Sequence, residues 1–139
     1  MAESCTGGLV GAMLTSVPGS SAYFLASFVT YSDSSKVSAL GVHYRTLVEH
    51  GAVSAECAME MASGARRAGN ADMGVSITGI AGPGGGSDIK PVGLAYIAVD
   101  DGIESRVERF VFPGGREEVR AAAAENALRL LIERLRTTS

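Results

Sequence analysis

Glycine places the tightest constraint on this chain. It supplies 18 of 139 residues, close to twice the usual share of about 7%. The glycines gather at Gly7-Gly8, along the run from Gly79 to Ser87, and at Gly114-Gly115. The middle run packs five glycines and Pro83 into nine residues, more than a plain connection needs. A residue without a Cβ permits left-handed backbone and lets a ligand come close to the main chain. A chain built this way must devote its loops to tight turns or to holding something. Its 46% hydrophobic and 19% charged content supports a packed core rather than disorder, within the size of one domain.

The periodic segments alternate between helix and strand. Thr6–Val17 reads as a short helix stopped by Pro18-Gly19, and Ala26–Tyr31 as a β-branched and aromatic strand. Ser34–Leu40 and Tyr44–His50 read as short helices closed by Gly41 and Gly51. Ser54–Ala68 is the cleanest helix, with Ser54 as its cap and Ala58, Met61, Ala62 and Ala65 as its apolar stripe. Met73–Thr78 and Val92–Val99 are apolar runs of the kind buried on both faces of a sheet. A two-residue hairpin turn is expected at Asp101-Gly102, leading into Glu104–Phe112, and Arg116–Arg136 is a long helix. This order predicts an α/β sheet covered by helices on both faces. Ligands of such sheets bind at the carboxyl ends of the strands, beside helix starts.

Several function classes are disfavoured. The formal charge of −3 argues against a nucleic-acid module, and no apolar run approaches the ~18 residues of a membrane span. Two cysteines and an N-terminus without basic residues fit a reducing cytoplasm. No spacing of Cys, His or carboxylates suggests a metal site, and neither a P-loop nor a dinucleotide fingerprint is present.

Three stretches have residue types that do chemistry. Ala2-Glu3-Ser4-Cys5-Thr6-Gly7-Gly8 sets two hydroxyls and a thiol before a helix, where Ser4 or Thr6 is either a cap or part of a site. Neighbours in extended backbone face opposite ways, so Ser4 and Cys5 do not share a pocket, and Cys5 reads better as a small buried residue. His43 and His50 lie in no Cys–His signature and read as solvated or capping residues. Thr30–Lys36 ends a strand with the phenol of Tyr31 and the amine of Lys36. Spacing alone favours an exposed loop lysine there, whereas a desolvated one can act as a base toward a serine. The run Thr78–Ser87 either wraps a phosphate or ribose with backbone N–H groups or is a solvated loop.

Taken together, these segments resemble the CinA C-terminal domain family, the nicotinamide-nucleotide amidohydrolases also called PncC. The resemblance rests on Ala2–Gly8, Pro18–Ser21, Phe28–Ser32 with Lys36, His50–Ser54, Ser76–Pro83, Lys90–Gly93, and Gly115-Arg116 with Val119-Arg120. Seven stretches in the family's order, from residue 2 to residue 120, form a specific signature. It implies a three-layer α/β/α sandwich with a mixed sheet, spanning the whole chain as one domain. It implies hydrolysis of the carboxamide of nicotinamide mononucleotide to nicotinate mononucleotide and ammonia, with no metal and no cofactor. Ser4 would be the nucleophile and Lys36 its base, with Tyr31 assisting proton transfer or holding lysine and substrate in place. Thr6, Gly7 and Gly8 would stabilise the oxyanion, and Thr78, Gly79, Gly82, Arg116 and Arg120 are candidates for the phosphate. Family members carry a helix and the start of a strand ahead of the first motif, so that helix and strand are expected to be missing here, exposing a sheet edge. A small-molecule pyridine nucleotide is the expected partner, and a homodimer the expected assembly. The family also occurs fused to a domain linked to competence, which keeps open a non-catalytic nucleotide-binding or partner module.

Overall fold

A computed structural model describes residues 1–139. The elements run β1 (Ala2–Glu3), α1 (Leu9–Thr15), a 3₁₀ turn (Ser20–Ala22), β2 (Phe28–Val29), α2 (Asp33–Leu40), α3 (Tyr44–His50), α4 (Ala55–Ala68), β3 (Gly74–Gly79), β4 (Leu94–Asp100), β5 (Ser105–Val111) and α5 (Arg116–Thr138). The strands form one mixed sheet in the order β2-β1-β3-β4-β5. β1 runs parallel to both β2 and β3, and the rest of the sheet is antiparallel. No helix is long and apolar enough to cross a membrane.

Alternation along the strands divides the core into two layers. Val75 and Ile77 of β3, with Ile97 and Val99 of β4, pack with α1 and the alanine face of α5 (Ala123, Ala124, Ala127). On the other face Ala2, Leu40, Val42, Cys57, Met61 and Ala65 join β1, α2 and α4. Small residues let α4 press close to the sheet. A Cβ on Gly74 would lie 2.0 Å from the Ala62 carbonyl oxygen, and Ser76 Oγ donates to the Ala58 carbonyl at 2.5 Å. A Cβ on Gly64 would lie 2.0 Å from the Leu40 carbonyl oxygen, so α2 also packs closely on α4.

Three expectations need correcting. The first helix does not start at Thr6: residues 4–8 form a turn with Gly7 and Gly8 at φ 60 and 105, and the helix begins at Leu9. Nor is a sheet edge exposed at the first motif: Ala2–Glu3, too short to show a period of two, pairs with both β2 and β3 and lies inside the sheet, leaving β2 and β5 as the edges. The hairpin loop spans residues 101–104 instead of two, because the Asp101 carboxylate accepts from the Ile103 and Glu104 N–H groups and from Arg134.

Candidate active site

Ser4, Thr30 and Thr78 follow one another across the sheet. The parallel register pairs Ala2 with Phe28 and Ser76, and Glu3 with Val29 and Ile77. The next rung therefore aligns Ser4 with Thr30 and Thr78, at the carboxyl ends of three parallel strands and on the face covered by α2 and α4. The ladder continues there, with Ser4 N donating to Ile77 O and Thr30 N to Glu3 O, each at 3.0 Å.

Lys36 reaches this rung from the second turn of α2, whose start is fixed by the Ser32 hydroxyl accepting from Ser35 N. Its Nζ donates to Thr30 O at 2.8 Å, Ser4 Oγ at 3.1 Å and Tyr31 O at 3.3 Å. Lys36 is 1% exposed, so the exposed loop lysine favoured by spacing is replaced by a buried one. All three acceptors are neutral oxygens. Burial pushes the Lys36 pKa below its ordinary value, opposed in part by Cys57, Asp33 and Cys5.

Cys5 points the other way, into the α1–α5 layer. Burial pushes its thiol up to about 11, so almost no thiolate exists at neutral pH. The backbone N–H groups of Thr6 and Gly8, in the turn that follows Ser4, donate to no protein acceptor.

The turn is braced by a residue that sequence reasoning gave no role. Glu3, fully buried, accepts from Thr6 Oγ1 (2.7 Å), Val10 N (2.9 Å), Gly11 N (3.0 Å) and Ser27 Oγ (3.3 Å). A glutamate inside an otherwise small and apolar strand start is the signal that marks it, since carboxylates are rarely buried unless paired or bonded. Glu3→Gln turns one amide N–H₂ toward donors and is expected to cost about 2–3 kcal/mol in urea unfolding. An unchanged midpoint would contradict this brace.

The remaining candidates form the rim. Tyr31 is 61% exposed; its hydroxyl accepts from Arg116 Nη2 at 3.2 Å, and its carbonyl, rather than its phenol, meets Lys36. Arg116 Nη1 donates to Gly82 O at 2.7 Å, joining the end of β2, the glycine loop and the start of α5. Arg120 donates to Cys5 O at 3.1 Å and Thr6 O at 3.0 Å, holding the turn from outside. Thr78 Oγ1 donates to Ala52 O at 2.8 Å. Gly79 and Gly82 have packing reasons of their own, since a Cβ would meet Leu94 O at 2.8 Å and Val92 Cγ1 at 2.5 Å. His43 caps α3 with its ring on Glu60. A concavity of about 640 Å³ lies at the opposite end of the parallel strands, lined mainly by apolar side chains such as Met1, Phe24 and Leu128. It offers none of the chemistry assembled around Ser4.

Fold and site together define an α/β domain whose parallel strands end in a serine hydrogen-bonded to a buried lysine. The chain belongs to the CinA C-terminal domain family, matching it over residues 1–135. It is 51% identical over 136 residues to a putative competence-damage inducible protein of Moorella thermoacetica, covering 98% of this chain and 33% of that protein. The chain thus spans about a third of the length of the curated relatives it matches. Among solved structures, the competence/damage inducible protein CihA of Agrobacterium tumefaciens aligns with a TM-score of 0.93 at 45% identity, over 95% of this chain and 81% of that one. A CinA superfamily protein of Klebsiella pneumoniae aligns with a TM-score of 0.94 at 38% identity, over 98% and 85%.

Proposed function

We propose that this domain is an amidohydrolase that converts nicotinamide mononucleotide to nicotinate mononucleotide and ammonia, with Ser4 as nucleophile and Lys36 as base. The observation that supports the chemistry is the contact between Lys36 Nζ and Ser4 Oγ inside a ring of neutral oxygens. The substrate follows from the resemblance to the nicotinamide-nucleotide amidohydrolases.

A neutral amine has two N–H groups and one lone pair. With the N–H groups on Thr30 O and Tyr31 O, the lone pair faces the Ser4 hydroxyl and can take its proton. Ser4 Oγ then attacks the carboxamide carbon, and the carbonyl oxygen becomes an oxyanion within reach of the free N–H groups of the Ser4–Gly8 turn. Lys36 returns the proton to the amide nitrogen, the C–N bond breaks and ammonia leaves. Water, activated by the same amine, releases the acid from Ser4.

Arg116 and Arg120 frame the approach to this turn. Each guanidinium has five N–H donors, of which two are used in the bonds described, so three remain for a phosphate. The Gly82–Ser87 backbone is the further candidate for that group. Tyr31 orients Arg116 and, through its carbonyl, the amine.

The test is ammonia release from nicotinamide mononucleotide by the purified protein beside Ser4→Ala. Release that falls by about a thousandfold or more in the variant is expected. Release that survives would move the nucleophile elsewhere. None from the folded wild type would contradict the assignment.

A further inference from the structure

We infer that the Thr30 hydroxyl is a further catalytic group, a donor without an acceptor in the resting fold that turns to Ser4 Oγ as that oxygen takes on negative charge. The inference rests on the Ser4–Lys36 reading and adds a group to it.

The rung Thr30–Ser4–Thr78 is chemically symmetric and structurally unequal. Thr78 Oγ1 is committed to Ala52 O. Thr30 is 2% exposed, and its Oγ1, inaccessible to solvent, has no hydrogen-bond partner. Its main chain is fully used, with the N–H on Glu3 O and the carbonyl under Lys36 Nζ. A buried hydroxyl without a partner destabilises the resting fold. Valine would fill the same shape without that penalty, so a threonine here calls for a state in which the hydroxyl is bonded.

The register supplies that state. Residues level with one another on adjacent parallel strands point to the same face, and the strands lie about 4.8 Å apart. A single χ1 rotation moves the Oγ1 of a threonine into the place held by Cγ2, while Cγ2 takes that of the Cβ hydrogen, and so re-aims the hydroxyl toward its neighbour on the next strand. The acceptor there is Ser4 Oγ, which is negative twice in the reaction. It is so while its proton passes to Lys36 and the Oγ–carbon bond forms, and again when that bond breaks and Ser4 is released. Thr30 keeps its own proton throughout and contributes only the hydrogen bond. An interaction made in the transition state and absent from the ground state accelerates the step.

Thr30→Val and Thr30→Ser are the variants, and the readout is the rate at which Ser4 is labelled by a fluorophosphonate, followed by mass spectrometry, beside thermal unfolding. Thr30→Val is expected to label about tenfold or more slowly with a Tm at or above wild type, and Thr30→Ser within about threefold of wild type. Labelling of Thr30→Val at the wild-type rate would remove Thr30 from the chemistry and leave Ser4 and Lys36 intact. Slow labelling with a clearly lowered Tm would overturn the inference as well, because the hydroxyl would then be bonded in the resting fold. A wild-type chain that leaves Ser4 unlabelled would remove the nucleophile itself, and the donor with it.

Discussion

Lys36→Met is expected to lower ammonia release by about a thousandfold, within the range that one positioned general base contributes. Methionine keeps the unbranched apolar stem out to Cε and lacks the terminal amine, and with it the lone pair that faces Ser4 Oγ. A second effect, in stability, carries a definite sign. Burial lowers the folded-state pKa of Lys36 from the ordinary lysine value of 10.5. Between the two values the unfolded chain holds a proton that the folded chain does not, so stability rises with pH across that window and is lost as pH falls through the folded value. Cys5 and Cys57 act oppositely above pH 9, since burial raises both thiols from 9.0 to about 11. The wild type minus Lys36→Met difference isolates the lysine. Denaturant unfolding of both proteins from neutral pH upward should show the wild type gaining on the variant, and parallel curves would contradict a desolvated amine.

Gly64→Ala is expected to destabilise the domain by about 3 kcal/mol, lowering Tm on the order of 10 °C. On an exposed helix the same change would be mildly stabilising, because alanine is the better helix former. Here the added methyl would sit 2.0 Å from the Leu40 carbonyl oxygen and 3.0 Å from the Leu40 Cβ. Backbone cannot move aside as a flexible side chain does, so α2 must separate from α4. Lys36 and Leu40 share α2, and both are buried. Separation therefore also draws Nζ away from Ser4, so labelling of Ser4 should slow in the fraction that remains folded. Thermal unfolding and labelling of the one variant check both effects. A Tm at or above wild type would contradict the close helix contact.

The two effects meet in α2, which also marks where the sequence was least legible. The segment Ser34–Leu40 reads as one or two helical turns, and it forms them as α2. Nothing in its own spacing shows that Lys36 is buried, because the burying surface comes from β1, β2 and α4, distant in sequence. The pairing with Ser4 crosses 32 positions and becomes visible only when β1 is placed between β2 and β3. β1 itself, two residues long, is too short to carry a period.

Other features were legible for reasons that remain local. The apolar runs behind β3 and β4 are buried on both faces. Ser54 caps α4 by accepting from Cys57 N, with Glu56 in the first turn. The alternation that separates Ser4 from Cys5 holds, since the two neighbours face opposite layers. Arg120 shows the limit of such reading. Its place on α5 makes it available to an anion, yet its first contacts are the carbonyls of the turn it steadies.

The most direct test of the account is the titration of Lys36 by NMR, followed at the side-chain nitrogen of protein carrying ¹⁵N-labelled lysine. The chain has two lysines, Lys36 and Lys90, and a Lys90→Arg variant assigns the signals. A Lys36 midpoint well below 10.5, coinciding with the pH at which ammonia release rises, is the expected result. A midpoint at or above the ordinary lysine value would leave Ser4 without a base and contradict the mechanism.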